Sequence, residues 1–406
     1  MTFYGYRRPD GQVGVRNYIG IIPSVFCAGR VAEMIARQVP NTVYLPHPVG
    51  CSQVGEDLEI TARTLIAMGN HPNLAGVLVV GLGCERFTVA EFVAGLQKSK
   101  KPVEKVIIQE EGDSVRAIEK GVSLAKKMVA DASALVREEI DTSELCVGVK
   151  CGGTDATSGI AANPAVLELK KYEALVAMSN GRASKIIVPT DAVNATKANV
   201  MFSEVTELLG AEKVLAERAE NNQVARDILD TIDRMECKLR TASTDPRFKN
   251  RSALISTGNF DGGVSTVAEK ALGNIYKSGT RTINGVLDYC GKPGKKGLFL
   301  MDSPGHDGEV VTGMIGGGAQ VIVFTSGRGT PTGFPFVPVI KVTGNSRTFA
   351  KMKENIDYNA GRIIDGEKDI PSAGQNLFDM LIETANGKMT KAETLGHAEL
   401  FCITRK

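Results

Sequence analysis

Thiols, imidazoles and carboxylates gathered in one place can move protons or hold a metal, and this chain sets many of them beside glycine. "GVKCGGTDATSGIAANP" (148–164) carries Cys151, Thr154, Asp155, Ser158 and Asn163 directly after the apolar run Leu145–Val149. "HPVGC" brings His47 and Cys51, "GLGCE" brings Cys84, and "QEEGD" brings Glu110. Farther on, "DSPGHD" offers Asp302 and His306, and "FTSGRGTPTG" offers Thr325, Ser326 and Arg328. Glycine permits close approach of a ligand to the backbone. Hydroxyls and N–H groups suit a polyol acid, and an arginine can clamp a carboxylate through two parallel bonds.

Each of these residues also has a plain structural reading. A free cysteine is most often a small buried hydrophobe, which suits Cys146, Cys237 and Cys402 better than the glycine-flanked Cys51, Cys84 and Cys151. His47 is either a histidine bonded to backbone or a base or metal ligand. The glycine stretches can be turns at a domain seam. They contain neither GxGxxG nor a Walker lysine, so dinucleotide and P-loop mechanisms lack support. No CxxC pair occurs, which leaves little ground for structural zinc.

Strands and helices must position these groups. Short, continuous Val/Ile/Leu-rich runs read as buried parallel strands at 18–25, 42–46, 76–82, 104–109, 145–149, 185–189, 297–301 and 321–325. Between them lie helical patterns, clearest after Asp113-Ser114, where Ile118, Val122, Ala125, Val129, Ala132 and Leu135 recur on one face behind an N-cap. A second helix is expected from Gly29 to Gln38. Alternation of this kind predicts an α/β fold of parallel, Rossmann-like sheets with flanking helices, whose ligands sit beyond the carboxyl ends of the strands. The listed groups all follow strands. The polar stretch Glu138–Ser143 is the expected boundary between two domains, 1–142 and 143–406, the first a candidate for dimerisation and the second catalytic.

Composition narrows the partners. With 43% hydrophobic and 23% charged residues the chain is globular, and its apolar runs fall far short of the ~20 residues of a membrane helix. No membrane span is expected. The amino terminus lacks the apolar core of a secretory signal, so a cytoplasmic enzyme with reduced thiols is expected. A net charge of +2, without a basic stripe, argues against nucleic acid.

The segments "FYGYRRPDGQVGVRNYIGIIPS", "GLGCE", "KCGGTDATSGIAANP", "GNFDGGVSTVAEKALGNI", "LFLMDSPGHD", "FTSGRGTPTG" and "PVIKVTGN" together resemble the altronate and galactarate dehydratase family, in the form of its large subunit. The resemblance runs from about residue 3 to near the carboxyl terminus. It implies a lyase that dehydrates a sugar acid to a 2-keto-3-deoxy acid with Fe²⁺, or Mn²⁺, as cofactor. It also implies a separately encoded small subunit, in place of the β-rich domain that opens the family's full-length members, and a homo-oligomer. "GEDLEI" and "IETANGKMTKAETLGHAEL" lean toward a sister branch that releases sulfite from (2R)-sulfolactate, while "IIVPTDAVNATKANV" departs from an acidic Ser-Glu-Thr pattern expected in both branches.

On this reading His47, Glu110, Cys151 and Asp155 are the expected catalytic residues. Thr154, Ser158, Asn163, Thr325, Ser326 and Arg328 are expected to hold the substrate, a small hydroxy acid. The metal is expected among Cys51, Cys84, Cys151 and His47, as a single ion or, since three cysteines permit it, an iron–sulfur cluster. The rival readings are the sulfo-lyase large subunit and a non-catalytic sugar-acid-binding subunit, which would have no use for a thiol, a histidine and an acid at successive strand ends.

Overall fold

The computed structural model describes residues 1–153, 155, 196–242, 257–264 and 267–405. Seven strands occupy the first third of the chain: β1 (Thr2–Arg7), β2 (Val13–Gly14), β3 (Tyr18–Pro23), β4 (Thr42–Tyr44), β5 (Leu74–Gly81), β6 (Val103–Ile107) and β7 (Glu138–Asp141). Seven more follow: β8 (Cys146–Cys151), β9 (Asn199–Phe202), β10 (Ile283–Leu287), β11 (Leu298–Met301), β12 (Val321–Thr325), β13 (Val339–Thr343) and β14 (Tyr358–Asn359). The described strands form a four-stranded sheet in the order β4-β3-β5-β6, a seven-stranded sheet β10-β11-β9-β8-β12-β13-β14 and a small sheet β2-β1-β7. The first two are parallel throughout and the third is antiparallel. An α/β fold with flanking helices is what the alternation predicts.

The strongest apolar runs form strands because both faces are covered: all eight residues of β5 and all five of β12 are buried. The helix Ser114–Ser133 begins where expected, with the Asp113 side chain accepting the Arg116 N–H. Two expectations are corrected. The segment after Leu145 stays in the sheet through Cys151, so Lys150 and Cys151 belong to a strand rather than to a loop. The strand expected over 104–109 ends at Ile107, and Ile108–Glu111 is a short helix. Within the polar stretch 138–143, Glu138–Asp141 forms β7, paired with β1 across the amino-terminal residues. The expected strand 185–189 lies outside the described residues.

The two parallel sheets share one core. Ile22, Leu65, Met68 and Val79 from the four-stranded side pack with Met314, Ile322, Phe324 and Phe336 from the seven-stranded side. Polar groups cross the same seam and are satisfied there. Asn73 donates to the carbonyls of Gln320 and Phe336 and accepts the Val15 N–H, while His71 Nε2 donates to Ala319 O at 3.0 Å and its Nδ1 accepts the Asn73 N–H. Those partners define a neutral imidazole. Lys101, likewise buried, donates to the carbonyls of Gly69, His71 and Leu74. Arg16 makes a buried pair with Glu393 at 2.7 Å.

Burial lowers the affinity of both His71 and His47 for a proton below that of an exposed histidine. The unfolded chain therefore takes up protons that the folded chain refuses once the pH falls below about 6.5, and stability drops with pH through that window. Thermal unfolding at pH 7.5 and pH 5.5 should show a lower midpoint at the acid pH; equal midpoints would mean that neither ring is held neutral.

Candidate active site

Strands β8 and β9 run side by side in parallel, with Val149 opposite Phe202. Their carboxyl ends consequently bring Lys150 and Cys151 to Ser203 and Glu204. Glu204 takes a left-handed backbone conformation (φ 69°, ψ 52°), which for a residue with a side chain costs on the order of 1–3 kcal/mol and calls for compensation nearby. The compensation is electrostatic. Lys150 Nζ lies 2.5 Å from Glu204 Oε1, and Lys277 Nζ contacts Glu204 Oε2. Lys150 also reaches Asp307 Oδ1 at 2.9 Å.

A 3₁₀ turn, Val205–Glu207, follows at once and carries Glu207 to the same place. The helix Val267–Lys277 lies over β8 and this turn, supplying Lys277, whose Nζ is 3.0 Å from Cys151 Sγ, and Lys270, whose Nζ is 2.9 Å from Glu207 Oε1. Cys151 Sγ is 3.8 Å from Glu207 Oε2. Burial costs Lys150 part of its proton affinity, but Asp307 and Glu207 more than restore it, so it is held as an ammonium. Burial dominates at Lys277 and brings it down to about 8, against the pull of Cys151.

The thiol and one oxygen from each of Glu204 and Glu207 lie within 4.8 Å of one another, and no other trio of this kind occurs among the described residues. Two acceptors and a soft donor make a set that a divalent transition metal can use. Beside it, the loop residues Thr206, Ser303 and Pro304 form one wall of a cavity of about 640 Å³. It is also lined by Glu56, Ile60 and Arg63 on the helix Gly55–Gly69 and by Arg234 and Lys238 on the helix Asn222–Ala242. Arg234 is paired with Asp302 at 2.7 Å. The Ser203 and Ser303 hydroxyls, 2.5 Å apart, tie the cavity wall to the Glu204 backbone.

The residues expected from sequence fall in several separate places. Cys151 joins the cluster. Asp155, Arg328, Asn345 and Lys351 line a separate cavity of about 470 Å³, where Asn345 Nδ2 donates to Asp155 at 3.0 Å and Gly327 must lack a side chain because Asp155 fills the space. Thr325 Oγ1 donates to Lys150 O, and Ser326 Oγ accepts the Gly329 N–H, so both hydroxyls serve the strand end. His47, Cys51, Cys84 and Glu110 stand at the carboxyl edge of the four-stranded sheet, outside the Cys151 cluster. There His47 is buried against Pro23 O at 2.8 Å, and the other three are exposed. Thr154, Ser158 and Asn163 lie outside the described residues.

Glu204, Glu207, Lys150, Lys270 and Lys277 were absent from the expected set. "FSEVTE" (202–207) follows a strand of only four residues, and it begins just past the stretch in which a Ser-Glu-Thr pattern is missing. Reading a few residues farther would have found Ser203, Glu204 and Thr206. The two lysines on the helix 267–277 look like ordinary solvated charges in the sequence.

Buried ammonium, carboxylate and thiol groups at the carboxyl edge of a parallel sheet, beside an open cavity, define an α/β enzyme acting on a small polar molecule. Two family profiles cover nearly the whole chain: the D-galactarate dehydratase/altronate hydrolase second domain matches residues 5–133, and the D-galactarate/altronate dehydratase C-terminal domain matches residues 142–406. The chain belongs to this family. The (2R)-sulfolactate sulfo-lyase subunit beta of Chromohalobacter salexigens is 37% identical to it, over 100% of this chain and 97% of that relative. Altronate dehydratase of Bacillus subtilis is 35% identical over 98% of this chain and 77% of the relative, and galactarate dehydratase (L-threo-forming) of Escherichia coli is 35% identical over 95% and 73%. The chain is accordingly an enzyme, a lyase of the dehydratase type.

Removing one member of a buried ion network strands the charges it balanced, at a cost of about 3–5 kcal/mol. Glu204→Gln leaves Lys277 without its carboxylate and weakens the hold on Lys150. Urea unfolding should show a loss of that size, partly recovered in Glu204→Gln/Lys277→Met; an unchanged midpoint for the single variant would show that the network does not support the fold.

Proposed function

We propose that this enzyme dehydrates a sugar acid of the altronate or galactarate kind to a 2-keto-3-deoxy acid. The observation that carries the reading is the Cys151–Glu204–Glu207 group together with a cavity of about 640 Å³ that is lined by Thr206, from the turn that carries both glutamates, a size that suits a six-carbon acid. The reaction removes the proton from the carbon beside the carboxylate and expels the hydroxyl of the next carbon as water; the enol so formed becomes the keto acid.

Cys151, Glu204 and Glu207 would hold Fe²⁺, or Mn²⁺, which when bound supplies a Lewis acid to the substrate carboxylate and the departing hydroxyl. Only one of the eight cysteines joins this group, which suits a single ion better than an iron–sulfur cluster. Lys270, paired with Glu207, gives its proton to the departing hydroxyl, which leaves as water, and takes up in exchange the proton lost from the carbon beside the carboxylate. Lys150, fixed between Glu204 and Asp307, holds the first carboxylate in position. Arg63 and Lys238 line the cavity without a carboxylate partner among the described residues, and they take the carboxylate end of the substrate.

The end-to-end match to a sulfo-lyase subunit favours a second reading, release of sulfite from (2R)-sulfolactate. The same relative's description as a subunit supports a separately encoded small subunit for this chain, which we take to be a cytoplasmic homo-oligomer. No helix among the described residues is long and apolar enough to cross a membrane. We also read 1–142 and 143–406 as its two domains.

Incubation with Fe²⁺ under reducing conditions and with altronate, galactarate or sulfolactate separates the readings. A 2-keto-3-deoxy acid is expected; sulfite with no keto-deoxy sugar acid would replace the first reading by the second. Chelation should abolish turnover, Fe²⁺ should restore it, and Cys151→Ser should lower it at least ~100-fold. Full activity after exhaustive chelation would remove the metal from the mechanism.

A further inference from the structure

The helix Val267–Lys277 buries three polar residues, Lys270, Asn274 and Lys277, spaced four and three positions apart. At 3.6 residues per turn these fall within an arc of about 60°, so they share the face that looks onto Cys151, Glu204 and Glu207. The outer two are engaged, Lys270 by Glu207 and Lys277 by Glu204 and Cys151. Asn274, between them, is 0% exposed, and neither its carboxamide oxygen nor its nitrogen has a hydrogen-bond partner among the described residues. Buried polar groups are almost always paired, and leaving both ends of an amide unpaired is costly.

The kind of group that would suit this amide follows from its donors and acceptors. A carboxamide carries no charge and offers donors and an acceptor side by side. A substrate carboxylate would be drawn to the neighbouring ammonium groups instead, and a divalent cation to the thiol and carboxylates. What matches an amide at both ends is a hydroxyl, which accepts from N–H and donates to C=O. We propose that Asn274 binds a hydroxyl of the substrate, accepting at Oδ1 and donating from Nδ2, and thereby selects polyhydroxylated acids. The assignment rests on the reading of the Cys151 cluster as the reacting centre.

Asn274→Leu keeps the branched shape of the side chain, with bulkier methyl ends, and removes both polar atoms. In the full-length chain loaded with Fe²⁺, this variant should melt at the same or a higher temperature than the parent, because an unpaired buried amide is gone, yet kcat/KM on altronate should fall at least ~100-fold. Calorimetric titration with altronate should show the same loss in affinity, which reads the contact even without turnover. Fe²⁺ affinity should stay unchanged. A variant that melts lower and keeps the parent's kcat/KM and altronate affinity would make Asn274 a packing residue and overturn the proposal. Cys151→Ser, run in parallel, separates the two ideas: an active Cys151→Ser sinks the reacting centre, whereas an inactive one beside a fully active Asn274→Leu sinks the hydroxyl contact alone.

Discussion

Glu204 is the point on which the site turns. Its carboxylate accepts from two buried ammonium groups at once, and its backbone holds a conformation that few side-chain-bearing residues adopt. Without Lys150 and Lys277 that carboxylate would be an isolated charge out of water, and without it the two lysines would lose the one carboxylate they share. Their mutual dependence fixes where β8 ends, where β9 turns, and how the helix Val267–Lys277 lies across both. Cys151 and Glu207 take up their positions as a consequence. Buried charge of this kind is a poor way to gain stability and a good way to hold several reactive groups at fixed separations.

The same logic explains why the fold was more legible than the site. Strands such as β5 and β12 are covered on both faces, and coverage writes itself into the sequence as an unbroken apolar run. The N-cap Asp113 is a local signal and was readable for that reason. By contrast, β1 and β7 pair across more than a hundred residues and are largely polar or exposed, so neither "TFYGYR" nor "EEID" announces a strand. Lysines 270 and 277 have no local mark at all, because what makes them special is the carboxylates that tertiary structure sets against them. Glycines beside Cys151 mark it in the sequence, whereas the flanks of Glu204 resemble a loop.

The distribution of polar groups between the two parallel sheets has a meaning of its own. On the four-stranded side, His47 and the three exposed residues Cys51, Cys84 and Glu110 occupy strand ends without forming a cluster, while the helix Gly55–Gly69 from that side walls the cavity next to the seven-stranded sheet. The first third of the chain thus contributes Glu56, Ile60 and Arg63 to the lining of that cavity, while the buried thiol, carboxylate and ammonium cluster comes from the rest. Contacts at the seam, through Asn73, His71 and Gln320, keep that wall in register with Ser303 and Thr206.

Arg16 shows what this arrangement asks of the chain as it folds. Its guanidinium lies buried against Glu393 and the carbonyls of Thr384 and Lys388, partners 377, 368 and 372 residues away. A charged group that is solvated early and whose carboxylate lies at such sequence distance has no native counter-ion until nearly all of the polypeptide is in hand. Assembly must then be slow relative to proteins built from local contacts, and nascent or partly folded forms must expose the apolar seam while they wait. Such a protein would lean on chaperones during synthesis more heavily than its compact finished state suggests.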